Sequence, residues 1–134
     1  MPFVVKFTIQ SDTRYLAPLR QLMASIGRVL GKKRFPKRAQ TVCTLALIEA
    51  VDNAIFHAHE RTKELPIGIE ITVGKGLVRM IVTDRGPGLD HPPITAPELV
   101  STHGRGLFMM DKLMRSVESR KTKGGHEMIL TYQI

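Results

Sequence analysis

Four apolar residues fall at every second position, Ile67, Ile69, Ile71 and Val73, and alternate with Gly68, Glu70 and Thr72. A period of two puts one set of side chains on one face, so the run predicts a half-buried strand. Gly74-Lys75-Gly76 turns the chain and Leu77 to Thr83 returns, which predicts a β-hairpin. A hairpin with one apolar face needs a cover. Two stretches of helical periodicity upstream supply it. Leu16, Leu19, Leu22, Met23, Ile26, Val29 and Leu30 share helical spacing, with Ser11-Asp12-Thr13 as N-cap, Pro18 in the tolerant first turn and Gly31 as the expected stop. A second helix is expected from roughly Lys37 to His59.

Phe3, Val5, Phe7 and Ile9 alternate with Val4, Lys6 and Thr8, which predicts a first strand. Past the hairpin, Leu89 to His103 holds Pro92, Pro93 and Pro97 and reads as a lid or a disordered loop. Gly104-Arg105-Gly106 opens a third helix, with Leu107, Met110, Leu113, Met114 and Val117 on one side. Gly124-Gly125 precedes a last strand carrying Met128, Leu130, Tyr132 and Ile134 on one face. The expected order is β-α-α-β-β-α-β in one domain over 1–134. The fold class is α+β: a two-layer α/β sandwich whose mixed, mostly antiparallel sheet has helices on one face.

The 134 residues suffice for a core without staples, and 43% hydrophobic with 24% charged residues is ordinary for a globular protein. No run reads as long enough to span a membrane, and Met1-Pro2-Phe3-Val4-Val5-Lys6 lacks the layout of a signal peptide. Cys43 is the only cysteine and reads as a small buried apolar residue. A cytoplasmic location is the expectation. The net charge of +8 is concentrated around Phe35-Pro36, in Lys32, Lys33, Arg34, Lys37 and Arg38. A solvated, mobile loop is the plain reading of that run. Nucleic acid is disfavoured because no Trp, two Tyr and five Phe leave few platforms for stacking bases. An acidic protein partner or a nucleotide accounts for the charge equally well.

Three motifs carry chemistry. Glu49 and Asn53 are four apart on the second helix, about 40° from each other around its axis, with His57 extending the stripe. A carboxylate beside a carboxamide suits a base and a metal ligand. Leu47, Val51, Ala54, Ile55 and Ala58 lie on the opposite side and can face a core. Asp84-x-Gly86-x-Gly88 ends the hairpin: its carboxylate can accept a hydrogen bond from an exocyclic amine, and its glycines let a ligand approach the backbone. Gly104-Arg105-Gly106, followed by Leu107, opens a helix whose N–H groups and arginine fork suit phosphate oxygens. It is not a Walker P-loop, and no βαβ unit surrounds it. His57 and His59 read as helix-end residues rather than ligands, and no Cys/His cluster has zinc spacing.

Taken in order, these motifs resemble the GHKL ATPase superfamily. Leu45 to Ala58 is similar to the N box of the small bacterial anti-sigma factor serine/threonine kinases, and Gly104 to Met114 to their last nucleotide box. The resemblance implies that Glu49 is the general base and that Asn53 holds Mg²⁺. It implies that Asp84 reads the adenine amine, that Gly86 and Gly88 make room for the base, and that Gly104, Arg105, Gly106 and Leu107 line the phosphates of ATP. Its implied partners are a small anti-sigma-factor antagonist as substrate and a sigma factor or similar regulator, and it is compatible with a homodimer through the first strand and helix. A non-catalytic ATP-binding module that sequesters a partner is the alternative. Two residues depart from the family pattern. His126 follows the glycines where the family usually has Thr, and Asp52 stands where small neutral residues are common.

Overall fold

The computed structural model describes residues 1–58, 65–85 and 110–134. Five strands form one sheet: β1 (Phe3–Gln10), β2 (Pro66–Gly74), β3 (Leu77–Asp84), β4 (Ser116–Thr122) and β5 (Gly125–Gln133). Their spatial order is β1-β2-β3-β5-β4, and all four pairings are antiparallel. The α+β class and antiparallel sheet are as expected, with no parallel pair among the described strands. Register converts the sequence alternation into a wall. Phe7, Ile69, Val82 and Met128 stand abreast across four strands, and Val5, Ile71, Met80 and Leu130 form the next row. Ile67, Ile69, Ile71 and Val73 are all buried.

Two helices cover that wall, α1 (Leu16–Arg34) and α2 (Lys37–Asn53). Leu19, Met23 and Ile26 of α1 and Val42, Ala46, Leu47, Ala50 and Val51 of α2 join the sheet residues in one core. The helices approach closely at Gly27, where a Cβ would lie 2.3 Å from the Gln40 side chain. By length and composition α2 and its extension, Lys37–Phe56, could cross a membrane, contrary to the sequence expectation. Here it is the central core helix, packed on β3 and β5.

The basic segment is not a mobile loop. Gly31 takes φ +83° and kinks α1, but the chain resumes helical geometry through Arg34. Phe35 is fully buried, its N–H donates to the Gly31 carbonyl at 2.9 Å, and its own carbonyl accepts from Gln40 Nε2 at 2.8 Å. An aromatic plug and two hydrogen bonds make the corner between α1 and α2 an ordered one.

Two further boundaries differ from expectation. The second helix leaves α-geometry after Asn53 and continues as a π-helical turn, Ala54–Ala58. His59 lies outside the described residues. Downstream, residues 110–113 are helical, but Ser116–Thr122, including Val117, is strand β4 rather than more helix. The Arg115 N–H already donates to the Thr131 carbonyl at 2.8 Å, so tertiary pairing with β5 overrides the helical spacing of Val117.

Candidate functional site

The last residue of α2, Asn53, and the last residue of β3, Asp84, meet in one small cavity with His126 of β5. Ala50, Ala54, Val82 and Met128 complete its lining. The local sequence explains the gathering. Ala50 and Ala54 are small enough to leave space beside the sheet, and alternation along β3 sends Asp84 to the same face as Val82 and Met80. Asp84 and His126 are direct partners across the β3–β5 ladder. Gly125 permits that approach, since a Cβ there would lie 1.9 Å from the Asp84 carbonyl oxygen.

All three polar residues are buried, Asn53 to 2% exposure, His126 to 3% and Asp84 to 6%. His126 Nδ1 stands 3.6 Å from Asp84 Oδ2, and its Nε2 is in close contact with the Ser119 hydroxyl on β4. Among the described residues the Asn53 amide has no hydrogen-bond partner on either terminal atom. An unpaired buried amide costs about 1–3 kcal/mol, so the described residues leave this position open to a further partner.

Glu49, one helical turn before Asn53, is half-buried and opens instead into a groove between α1 and α2, beside Arg20 and Lys37. The stripe expected from sequence is therefore divided: Asn53 lines the cavity and Glu49 the groove. Asn53 and Asp84 are brought together; Gly86, Gly88, Gly104, Arg105, Gly106 and Leu107 lie outside the described residues, as does the Leu89–His103 segment. The His57 side chain also lies outside them. Ser119 is a site residue that the apolar pattern does not point to, because helical spacing runs on as far as Val117, inside β4. Its signal was the Lys123-Gly124 turn before an alternating strand, which marks a hairpin.

Among the described residues no three His, Cys, Asp or Glu gather as a metal site. A lone carboxamide oxygen still suits Mg²⁺, which keeps most of its waters and takes few protein ligands when phosphates supply the rest. The donor set thus fits a magnesium–nucleotide and not an all-protein metal cage.

The histidine kinase-like ATPase domain family matches residues 9–132. The chain belongs to that family. The GHKL resemblance drawn from the three motifs is thereby borne out, and ATP is the ligand its family name implies. Curated relatives of this ATPase domain include the anti-sigma F factor of Clostridium botulinum, strain Eklund 17B, 33% identical over 87 residues. That stretch covers 59% of this chain and 61% of the relative. The anti-sigma F factor of Clostridium beijerinckii is 28% identical over 85 residues, covering 59% of each. The chain therefore matches about three fifths of the length of these relatives.

Among solved structures, one containing RsbU and RsbW domains from Mycobacterium tuberculosis superposes with a TM-score of 0.62 at 19% identity, covering 98% of this chain and 32% of that one. A blue-light activated histidine kinase domain from Erythrobacter litoralis gives 0.58 at 16% identity, covering 88% and 60%. At these identities the likeness is one of fold.

Proposed function

We propose that this chain is an ATP-dependent protein serine/threonine kinase of the anti-sigma type, which phosphorylates a small antagonist protein and binds a sigma factor or similar regulator. The observation that carries the reading is the Asn53 amide, without a partner among the described residues, buried in the cavity that Asp84 also lines and one helical turn from Glu49. The anti-sigma F factor relatives support the kinase branch of the family.

In this reading Asp84 accepts a hydrogen bond from the adenine amine at the closed end of the site. Asn53 holds Mg²⁺, which on binding would neutralise charge on the phosphates. Glu49 accepts the proton of the attacking hydroxyl, a role for which its position on the accessible groove, not in the closed cavity, is suitable. Gly86 and Gly88 admit the base, and Gly104, Arg105, Gly106 and Leu107 bind the phosphates through helix N–H groups and the guanidinium. Phosphoryl transfer asks mainly for positioning and charge stabilisation, and this set of groups provides both.

The test has two stages. Calorimetry with ATP and Mg²⁺ should detect binding by folded protein. Labelled ATP with an antagonist domain encoded beside this chain should then give phosphoserine or phosphothreonine. Binding without transfer would leave a nucleotide-dependent sequestering module; no binding would remove the whole reading.

A further inference from the structure

We infer that the α1–α2 hairpin is a docking surface for an acidic, partly apolar segment of a partner protein. The inference goes beyond the kinase reading and does not depend on it. Between Asp12 and Glu49 the chain carries Arg14, Arg20, Arg28, Lys32, Lys33, Arg34, Lys37 and Arg38, and no carboxylate at all. Outside that stretch twelve basic residues are matched by twelve acidic ones, so residues 13–48 carry the entire net charge of +8, and Glu49 and Asp52 follow only at the far end of α2. All eight cations are exposed. Arg14 pairs with Asp12 at 3.0 Å; among the described residues no carboxylate pairs with the other seven.

The folded chain gains from this arrangement only at the end of α1, where Lys32, Lys33 and Arg34 complement the helix dipole. Lys37 and Arg38 open α2, whose first turn has no acidic residue and whose N-cap, Pro36, offers no side-chain bond. Positive charge at a helix N-terminus opposes the helix dipole, and neighbouring cations repel one another. The corner that holds them is nonetheless ordered, pinned by buried Phe35 and the Gln40 hydrogen bond. The charges are thus displayed at a fixed geometry, as a recognition surface requires.

The groove running from this corner selects the partner's chemistry. Lys37 and Arg20 flank it, Ala24, Leu45 and Ile48 contribute apolar surface, with Leu45 41% exposed, and Glu49 is the single carboxylate of the lining against two cations. An amphipathic polypeptide segment lays apolar side chains on such a floor and carboxylates against the flanking cations. Nucleic acid fits less well. The corner's one aromatic ring, Phe35, is buried, and the groove lining contains no aromatic residue for a base to stack on.

The test uses fluorescence anisotropy at about 0.15 M salt. The probes are a labelled amphipathic peptide of roughly 20 residues built from Glu and Leu at helical spacing, the same peptide with Gln for Glu, and a single-stranded RNA of similar length. The acidic peptide should bind at least about tenfold more tightly than its Gln counterpart. The triple variant Arg20→Glu, Lys37→Glu, Arg38→Glu should lose that binding while its melting temperature holds or rises, because the changes at Lys37 and Arg38 relieve the dipole conflict at the start of α2. Leu45→Ser should weaken the peptide several-fold. The inference is overturned if neither peptide binds, if both bind equally, or if the triple variant binds normally. It is also overturned if RNA binds more tightly than the acidic peptide and is indifferent to Leu45→Ser, which would make the hairpin a nucleic-acid surface. ATP binding is measured on the same samples, so failure of the nucleotide reading is seen separately from failure of this one.

Discussion

Gly125 lies against the end of β3 so closely that a Cβ on it would stand 1.9 Å from the Asp84 carbonyl oxygen and 2.7 Å from the Arg85 Cα. Both obstacles are backbone and cannot rotate away. Gly125→Ala must therefore push β5 from β3 at the point where Asp84 and His126 pair. The expected cost is about 1–3 kcal/mol, read as a lower urea midpoint with unchanged slope. Nucleotide affinity should fall with it. Gly124→Ala is the control, since a Cβ there meets nothing within 4 Å, and it should leave both measurements close to wild type.

Glu49 faces the α1–α2 groove while its neighbour one turn on, Asn53, faces the closed cavity. Substitution at Glu49 should thus separate chemistry from binding. Glu49→Gln keeps size and hydrogen-bonding capacity but removes the proton acceptor. Phosphoryl transfer should fall by at least about a hundredfold, while the ATP dissociation constant stays within about threefold. Equal losses in both would assign Glu49 to nucleotide binding instead of catalysis.

Burial pushes the Cys43 thiol up to about 12 from an ordinary value of 9.0. Between those values the unfolded chain has released the proton and the folded chain retains it. Stability is therefore fully present below pH 9 and declines as pH rises toward 12, by about 1.4 kcal/mol for each pH unit. Cys43→Ala removes this slope, so the gap in stability between the variant and wild type should narrow from pH 8 to pH 10.5. A maleimide reagent should leave the native thiol unmodified and label it only once urea unfolds the protein.

How far the fold could be read depended on whether local pattern and tertiary environment agreed. The Ile67–Val73 alternation survived because its buried face is buried along its whole length. Strand β4 was hidden because Ser116–Thr122 is an edge strand with mostly exposed side chains, so burial imposed no period of two on it. The Lys32–Arg38 run looked like a loop because charge masks structure held by one buried ring, Phe35. At the site, the types and order of Glu49, Asn53 and Asp84 were legible. The split between cavity and groove was not, because residues four apart on a helix can still face different neighbours when the sheet covers one and the adjoining helix flanks the other.

Asn53 offers the sharpest contrast between stability and function. Its amide is buried with both terminal atoms unpaired among the described residues, an arrangement that costs a ligand-free fold about 1–3 kcal/mol. Asn53→Leu replaces that amide with an apolar group of the same branched shape and somewhat larger volume, in a cavity already lined by Val82, Met128 and two alanines. The ligand-free variant should be at least as stable as wild type, with a melting temperature equal or a few degrees higher. Magnesium-dependent ATP binding should drop by at least about tenfold in the same protein, so that ATP with Mg²⁺ raises the wild-type melting temperature and leaves that of the variant nearly unchanged. A variant that is less stable than wild type without ligand would mean that the amide has a structural partner. One that still gains the full thermal shift from magnesium and ATP would remove Asn53 from the proposed metal site.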